Sequence, residues 1–554
     1  MAFTELLEQA VGVGLFQALQ ILTFFLFSVW VPFQLVVENF SAAVPGHRCW
    51  AHLLDNGSGA PANLSPEALL PISIPPGPNR GPHQCLRFRY PQGQLLDPNA
   101  TATNWSEADT ELCMDAGSTN GWIYDHSTFT STIVTEWDLV CEHQGLKPLG
   151  QSIYMAGAMV RCIVCGFLSH RFGRKPVLSW FCLLVAVTSI STVAALSFPV
   201  YCGLRFLSAL GLSSILLTST MLMVEWTMTS TRAVTMVILG STYSISQMAV
   251  GGLAFALQDW RTLQLAMSVP FFITFLISWW LPESARWRII IGKPDQALQE
   301  LKKVAKINGH KEAQKTLTIE VLMSSMQEEV ASAKSRQSVL DLFRLPVLRW
   351  RTCNLLVVNF FLTVSYYGIV LDLQNLGSNI FLFQVLFGAV DLLAQAITTF
   401  LLRFFGHRAT LADSLAGAGL AILANTLVPQ DLQTLRVVFA VLGKGCFGLS
   451  LTCIMIYKPE LFPISLRIIA EGFLYSAAWL GSVMGPLIRM TCQVLPLLPP
   501  LSCGVIPIAA SLIVFLPETR GLPLPDTIQD LERQRSAAAR GGQQEVVITE
   551  STWF

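Results

Sequence analysis

Of the 554 residues, 52% are hydrophobic and only 13% charged, about half the ~25% charged share of an ordinary soluble protein. A soluble surface of this size does not tolerate that depletion, so a water-soluble enzyme is excluded. The 36 Lys and Arg balance the 36 Asp and Glu, which leaves no basic excess for nucleic acid.

The charge is confined to blocks between long apolar stretches. A hydrocarbon core about 30 Å thick takes about 20 helical residues to cross. On that measure the sequence predicts twelve spans, at 15–36, 148–168, 177–197, 200–224, 233–256, 262–281, 353–371, 378–402, 409–428, 434–457, 468–489 and 495–516. The first stretch is read as a span and not as a signal peptide, because Glu5 and Glu8 precede it and no Lys or Arg does.

Spans 1 and 2 are separated by a hydrophilic segment, 41–147, with four cysteines (Cys49, Cys85, Cys113 and Cys141) and Asn-x-Ser/Thr sequons at Asn56, Asn63, Asn99 and Asn104. Asn39 makes a fifth sequon but abuts span 1, close to the bilayer for a glycan. Clustered sequons with an even cysteine count place this segment outside the cell, where disulfides persist. Three pairings of the four cysteines are open. The segment 282–352 carries thirteen Lys or Arg and no sequon, against five basic and eleven acidic residues in 41–147. The positive-inside rule puts 282–352, and with it both termini, in the cytosol. From Pro294 to Ala333 this linker reads as amphipathic helix.

The two sets of six spans repeat. Glu225 after span 4 is followed seven residues on by Arg232, and Glu460 after span 10 is followed seven residues on by Arg467. Pro282-Glu283-Ser284 follows span 6 and Pro517-Glu518-Thr519 follows span 12; Glu225 to Glu283 and Glu460 to Glu518 are both 58 residues. Arg171-Phe172-Gly173-Arg174-Lys175 joins spans 2 and 3, and Phe404-Phe405-Gly406-His407-Arg408 joins spans 8 and 9. Such a repeat implies a duplicated bundle with a cavity between its halves. The expected organisation is a half at 1–281 that includes the disulfide-bonded, glycosylated 41–147 segment, a helical linker at 282–352, a second half at 353–516 and a cytoplasmic tail at 517–554.

This plan, with its Arg-Phe-Gly-Arg-Lys loop, resembles the major facilitator superfamily. The stretches ENFSAAVPGHRCW (38–50), LDPNATAT (96–103), FTSTIV (129–134), PESARW (282–287) and PETRGLPLPDTIQD (517–530) resemble the organic anion and urate branch of solute carrier family 22. The resemblance implies an all-α polytopic membrane protein with 12 transmembrane helices in two six-helix halves.

Gly173 supplies the backbone freedom for a tight turn. Arg171, Arg174 and Lys175 then stand ready to pair with Glu225 and Glu283 and to help hold the halves together at a cytoplasmic gate, with Arg232, Glu460, Arg467 and Glu518 at the related positions. The family's usual pattern has an Asp before this Arg; here it is His170. Polar groups within spans line a cavity or find partners, because an unpaired Lys at mid-span costs about 2.5–3.5 kcal/mol. Lys444, mid-span in span 10, is expected to face the cavity or Asp391 of span 8. Arg205 lies nearer the outer end of span 4 and reads as snorkelling. Arg161 sits half way along span 2, where family members carry a small residue, and its role is open.

A cavity for a bulky anion needs aromatic faces and hydroxyl tips to replace lost hydration. The candidates are Tyr154, Tyr243, Phe360, Phe361, Tyr366, Tyr367 and Tyr475, with Gln34, Gln247, Asn359, Gln384 and Gln395 as hydrogen-bonding groups. The family implies a basic residue in span 8 and an Arg in span 11; those positions hold Gln395 and Trp479. Lys444 remains a candidate source of the positive field.

Gly443-Lys444-Gly445-Cys446-Phe447-Gly448 matches a dinucleotide fingerprint, but inside an apolar span it reads as close helix packing. Cys162-x-x-Cys165 lies in an apolar helix without a second pair. No phosphate-binding loop for ATP is present, the eight histidines form no ligand spacing, and no metal or cofactor is implied. Thr552-Trp553-Phe554 fits PDZ-domain capture by strand addition, and the family implies sorting of this kind to the apical plasma membrane. The expected function is exchange of organic anions (sulfated steroids, urate, amphiphilic carboxylates) for a counter-anion by alternating access in the lipid bilayer. A facilitative carrier of neutral or cationic amphiphiles and a transport-dead membrane scaffold are the competing readings.

Overall fold

The computed structural model describes residues 14–55, 66–77, 81–90, 110–113, 121–227, 229–309, 318–324, 340–344, 346–371, 379–429, 432–462, 464–491, 495, 497–514 and 516. The chain forms two compact units. One comprises Met1–Phe40, Pro148–Leu257 and Arg261–Phe554; the other comprises Ser41–Lys147 with Gln258–Trp260.

The larger unit is helical. We number its long helices α1 (Leu15–Val36), α2 (Leu146–Phe172), α3 (Arg174–Val193), α4 (Phe198–Trp226), α5 (Thr229–Ala256), α6 (in two pieces, Trp260–Ser268 and Pro270–Ser278), α7 (Pro346–Val370), α8 (Ile380–Phe405), α9 (His407–Leu427), α10 (Gln433–Leu461), α11 (Ile464–Met490) and α12 (Leu498–Ile513). Each expected span falls on one of these. Among the described residues, nine helical segments are long and apolar enough to cross a membrane; α5, α11 and the shorter α12 are not among them. Helix α7 begins at Pro346, seven residues before the expected span, because the polar stretch preceding it continues the helix from a proline at its first position.

The side chains are sorted as a bilayer requires. Along α3, Trp180, Leu183 and Val187 are exposed, and along α8 so are Leu393, Ile397, Phe400 and Phe404. These spacings put one apolar stripe on the outside of each helix. Hydroxyls inside the helices turn back on carbonyls four residues earlier, as Thr188 does on Leu184 (2.7 Å), Thr192 on Thr188 (2.8 Å) and Thr398 on Ala394 (2.7 Å). That is how a hydroxyl is satisfied where no water reaches it. Glycines allow the closest crossings: a Cβ at Gly157, Gly388 or Gly481 would collide with the carbonyl of Phe206, Ser244 or Phe360.

The repeat read from the loops recurs in the packing. In the first half α3 packs on α4 and α6, and α1 packs on α4, α5 and α6; in the second, α9 packs on α10 and α12, and α7 on α10, α11 and α12. Each half encloses its own apolar core, one running from Phe16 to Leu322 and the other from Leu342 to Leu516. The linker helix Pro294–Ile307 buries Ala297, Leu301 and Val304 in the first of these cores. Asn308 at its end accepts from the Phe16 N–H (2.9 Å) and donates to Gln17 (2.8 Å), so the linker caps α1. The amphipathic helix expected over Pro294 to Ala333 is therefore seen to Ile307, and 310–317 and 325–333 lie outside the described residues.

The smaller unit is built on two nested antiparallel pairs. Strand β1 (His47–Cys49) pairs with β4 (Trp122–Tyr124), and β2 (Leu86–Phe88) with β3 (Thr110–Leu112). Disulfides join Cys49 to Cys113 and Cys85 to Cys141, with Cα–Cα distances of 5.7 and 5.8 Å, which selects one of the three open pairings. Arg48 meets Asp55 at 2.6 Å, and Arg87 meets Glu111 across the β2–β3 pair at 2.8 Å. His47 lies beside the rings of Trp122 and Tyr124, and burial lowers its imidazole below the ordinary value of 6.5.

Peptide mapping without reduction should recover Cys49 linked to Cys113 and Cys85 linked to Cys141. The Cys49–Cys113 bridge closes 64 residues, so its removal by paired serines should cost the unit about 4 kcal/mol, read as a lower thermal midpoint. Because the folded His47 holds its proton less tightly than the unfolded one, its contribution is full above 6.5 and is lost as pH falls below that value. Melting of the wild type should therefore drop on acidification more than that of His47→Gln.

Candidate functional site

Charged side chains buried inside the helices are costly unless paired. Among the described residues of the spans, the buried carboxylates are Glu38, just past α1, and Asp391 of α8. Lys444 of α10, 1% exposed, places its ammonium 2.7 and 2.6 Å from the two Asp391 oxygens and 3.1 Å from the Tyr366 hydroxyl. Arg205 of α4 meets Glu38 at 3.4 Å, donates to the side-chain and backbone oxygens of Gln34 and lies 4.3 Å from the Tyr154 ring centroid. Arg205 is 1% exposed, so it does not snorkel; Glu38, close in space though far in sequence, holds it inside.

From Lys444 a line of rings crosses the second half. Lys444 lies 4.5 Å from the centroid of Tyr366. Tyr366 meets Tyr367 edge-on at 5.2 Å, Tyr367 stacks on Trp479 at 6.5 Å, and Trp479 meets Tyr475 at 6.0 Å. Lys458 of α10 lies 5.9 Å from the Tyr475 centroid. From the first half, Arg161 of α2 sets its guanidinium 5.1 Å from Tyr475 and 5.5 Å from Trp479, and one Nη donates to the Ser213 carbonyl of α4 at 2.7 Å. Tyr154 packs into the same seam with Tyr367 and Trp479. Tyr243 and Gln247 of α5 lie beside Tyr366.

The structure thus brings Tyr154, Tyr243, Gln247, Tyr366, Tyr367, Asp391, Lys444, Tyr475 and Trp479 around one interior region. It puts other candidates elsewhere. Gln34 accepts from Arg205 and Gln264 and donates to the Met267 carbonyl, so it belongs to the packing of α1, α4 and α6. Gln384 donates to the Gln247 carbonyl of α5 at 3.4 Å, and Gln395 donates to the Gly240 carbonyl at 3.3 Å and to Ser244; both fasten the seam between α5 and α8. Phe360 contacts Phe361, and its carbonyl meets Gly481 of α11. Asn359 is buried beside them, its amide nitrogen without a partner among the described residues. Lys444 supplies no free positive field, because Asp391 neutralises it. Arg161, whose role the sequence left open, faces the Tyr475 and Trp479 rings from the other half; no regular spacing marks it, since α2 and α11 meet only in three dimensions.

Where α1 leads into residues 41–147, the halves are joined directly. Asn39 donates to the Val370 carbonyl (3.0 Å), Gln151 to that of Leu371 (3.3 Å) and Ser152 to that of Val483 (3.0 Å). Asn39 is buried with this bond made, so it is unavailable to a glycan. At the opposite end, Gly173 and Gly406 both adopt positive φ, 100° and 83°, and the residue after each meets the equivalent acid. Arg174 lies 3.5 Å from Glu225, and His407 lies 3.6 Å from Glu460. Glu283 accepts from the backbone N–H groups of Arg174, Lys175 and Ser284. Burial raises its carboxyl above the ordinary glutamate value while these donors and Arg174 pull it back. All of these partners lie within one half. Among the described residues the loop ties α3 to the ends of α4 and α6; a latch between the halves that breaks when the cavity opens inward stays a proposal. Arg171 lies over Phe172. The side chains of Arg232 and Arg467, and all of Glu518, Asn56, Asn63, Asn99, Asn104 and Thr552–Phe554, lie outside the described residues.

Two six-helix halves related by a repeat, with polar groups buried along their seam, define a transporter of the major facilitator type. The "Sugar (and other) transporter" family model matches residues 122–529. The inward-open xylose transporter XylE from E. coli superposes with a TM-score of 0.57 over 93% of this chain and 99% of its own, at 14% identity. Solute carrier family 22 member 11 of Homo sapiens is 68% identical over 100% of both chains, and member 12 of Homo sapiens is 49% identical over 100% of both. The steroid transmembrane transporter SLC22A24 of Homo sapiens is 44% identical over 97% of each. The chain belongs to solute carrier family 22, a family of multi-pass membrane transporters and not of enzymes.

Lys444→Met alone strands a buried carboxylate, so it should destabilise the protein by about 3–5 kcal/mol and sharply lower the amount reaching the cell surface. Lys444→Met with Asp391→Leu removes both charges, and surface biotinylation should return most of that loss.

Proposed function

We propose that this protein is a secondary transporter that carries amphiphilic organic anions across the plasma membrane, by alternating access and in exchange for a counter-anion. The observation that carries the reading is the sign of the buried charge. Among the described span residues, five buried cations (Arg161, Arg205, Arg351, Lys444 and Lys458) stand against two buried carboxylates, Glu38 and Asp391. Both carboxylates already face cations, so neither is available to attract an organic cation. Of the cations left over, Arg161 lies beside the Trp479 and Tyr475 rings, a surface suited to a flat apolar body with an anionic head. The name of one relative, a steroid transporter, agrees with such a body, and we infer sulfated steroids, urate and amphiphilic carboxylates as the substrate class.

The disulfides of the 41–147 segment and the basic 282–352 linker support an orientation with that segment outside and both termini in the cytosol. With that end outside, the bonds from Asn39, Gln151 and Ser152 close the outer gate, while the charged loops at 171–175 and 404–408 brace each half from within. The Thr552–Phe554 tail is proposed to bind a PDZ-domain protein that holds the transporter at an apical surface.

Transfected cells offered labelled estrone sulfate, urate and a quaternary amine should take up one or both anions above mock-transfected cells and take up no more amine than they do. Preloading with an unlabelled dicarboxylate should accelerate anion entry. Uptake of the amine alone would replace this reading with a cation carrier, and uptake of none of the three from protein present at the surface would leave a transport-dead scaffold.

A further inference from the structure

Of the five buried cations, Lys444 and Arg205 have a buried carboxylate within ion-pair distance: Lys444 has Asp391, and Arg205 has Glu38. Arg161 is as deeply buried, at 2% exposed, yet among the described residues it has no carboxylate. Its contacts are the Ser213 carbonyl and the rings of Tyr475 and Trp479. The rings take the guanidinium face and Ser213 takes one Nη. Among the described residues neither the Nε, which is buried, nor the edge it shares with the other Nη makes a hydrogen bond. That edge is the fork by which an arginine grips a carboxylate or sulfate bidentately.

Its position is equally specific. Arg161 belongs to the first half, and the rings belong to α11 of the second. Lys458 approaches Tyr475 as well, but the Glu471 carboxylate of α11 acts on it, so Arg161 is the cation here that faces no carboxylate among the described residues. A cation held in a low-dielectric site without a counter-charge is a costly feature, and a bound anion removes that cost.

Resting on the anion reading above, we propose that Arg161 is the specificity-determining residue of the transporter: its open edge receives the sulfate or carboxylate of the substrate while Tyr475, Trp479 and Tyr367 receive the apolar body. The guanidinium then touches the substrate from one half and the rings touch it from the other, so occupancy bears on both sides of the seam that must move.

The test is estrone sulfate and urate uptake by wild type, Arg161→Gln, Arg161→Lys and Arg161→Gln with Trp479→Arg, with rates normalised to surface-biotinylated protein. Arg161→Gln should raise KM by about 10- to 100-fold. Arg161→Lys keeps the charge but loses the fork and should raise KM by roughly tenfold. Trp479→Arg returns a guanidinium to the pocket from α11 and should recover much of the lost affinity, which a purely structural role for Arg161 does not predict. A KM within roughly twofold of wild type in Arg161→Gln overturns the proposal. If that variant fails to reach the surface, an unchanged KM in Arg161→Lys overturns it instead. Wild type that moves neither anion defeats the anion reading itself, whereas wild-type uptake with unaltered variants defeats only the role of Arg161.

Discussion

A charge inside a helical bundle has no water to fall back on, and that constraint organises the interior of this protein. Among the described residues each buried acid of the spans faces a cation: Asp391 meets Lys444 between α8 and α10, and Glu38 meets Arg205 between the end of α1 and α4. The pairs fix which helix faces turn inward, and the Tyr366 hydroxyl and the Gln34 amide complete their hydrogen bonding. Once these pairs are made, the polarity of the seam is decided by what is left over, which is positive.

The same constraint explains the division of labour between glycines and aromatics. Gly157 and Gly481 let helices approach until backbone meets backbone, and this holds α2 and α11 in place beside α4 and α7. On that frame Trp479 and Tyr475 stand opposite Arg161. A guanidinium without a carboxylate is tolerated there because two aromatic faces and one carbonyl share its field. The rings therefore shelter the cation, and in the proposed reading they also form the apolar wall of the substrate site.

The architecture was legible because it rests on one-dimensional signals. Apolar runs of bilayer length and a 58-residue repeat survive without knowledge of contacts. The interior was legible only where a residue's cost exceeded its ambiguity. Lys444 had to be paired, and Asp391 was the acid within reach. Arg205 was misread because its partner Glu38 lies 167 residues away and looked like part of the loop. Gln34, Gln384 and Gln395 were polar enough to suggest a cavity, yet a buried amide is as readily satisfied by a neighbouring backbone carbonyl, and only the packing of α5 on α8 or of α1 on α6 distinguishes the two. The role of Arg161 depends on the meeting of α2 and α11, which no periodicity in either helix records.

The turn at Gly173 and the turn at Gly406 are the same device made twice, each followed by a side chain set against an acid of its own half, Arg174 against Glu225 and His407 against Glu460. A clasp of that kind stiffens a lever without bolting it to its partner. On the proposed alternating-access reading, each six-helix half would swing as a stiff piece and a substrate would act at the seam between them.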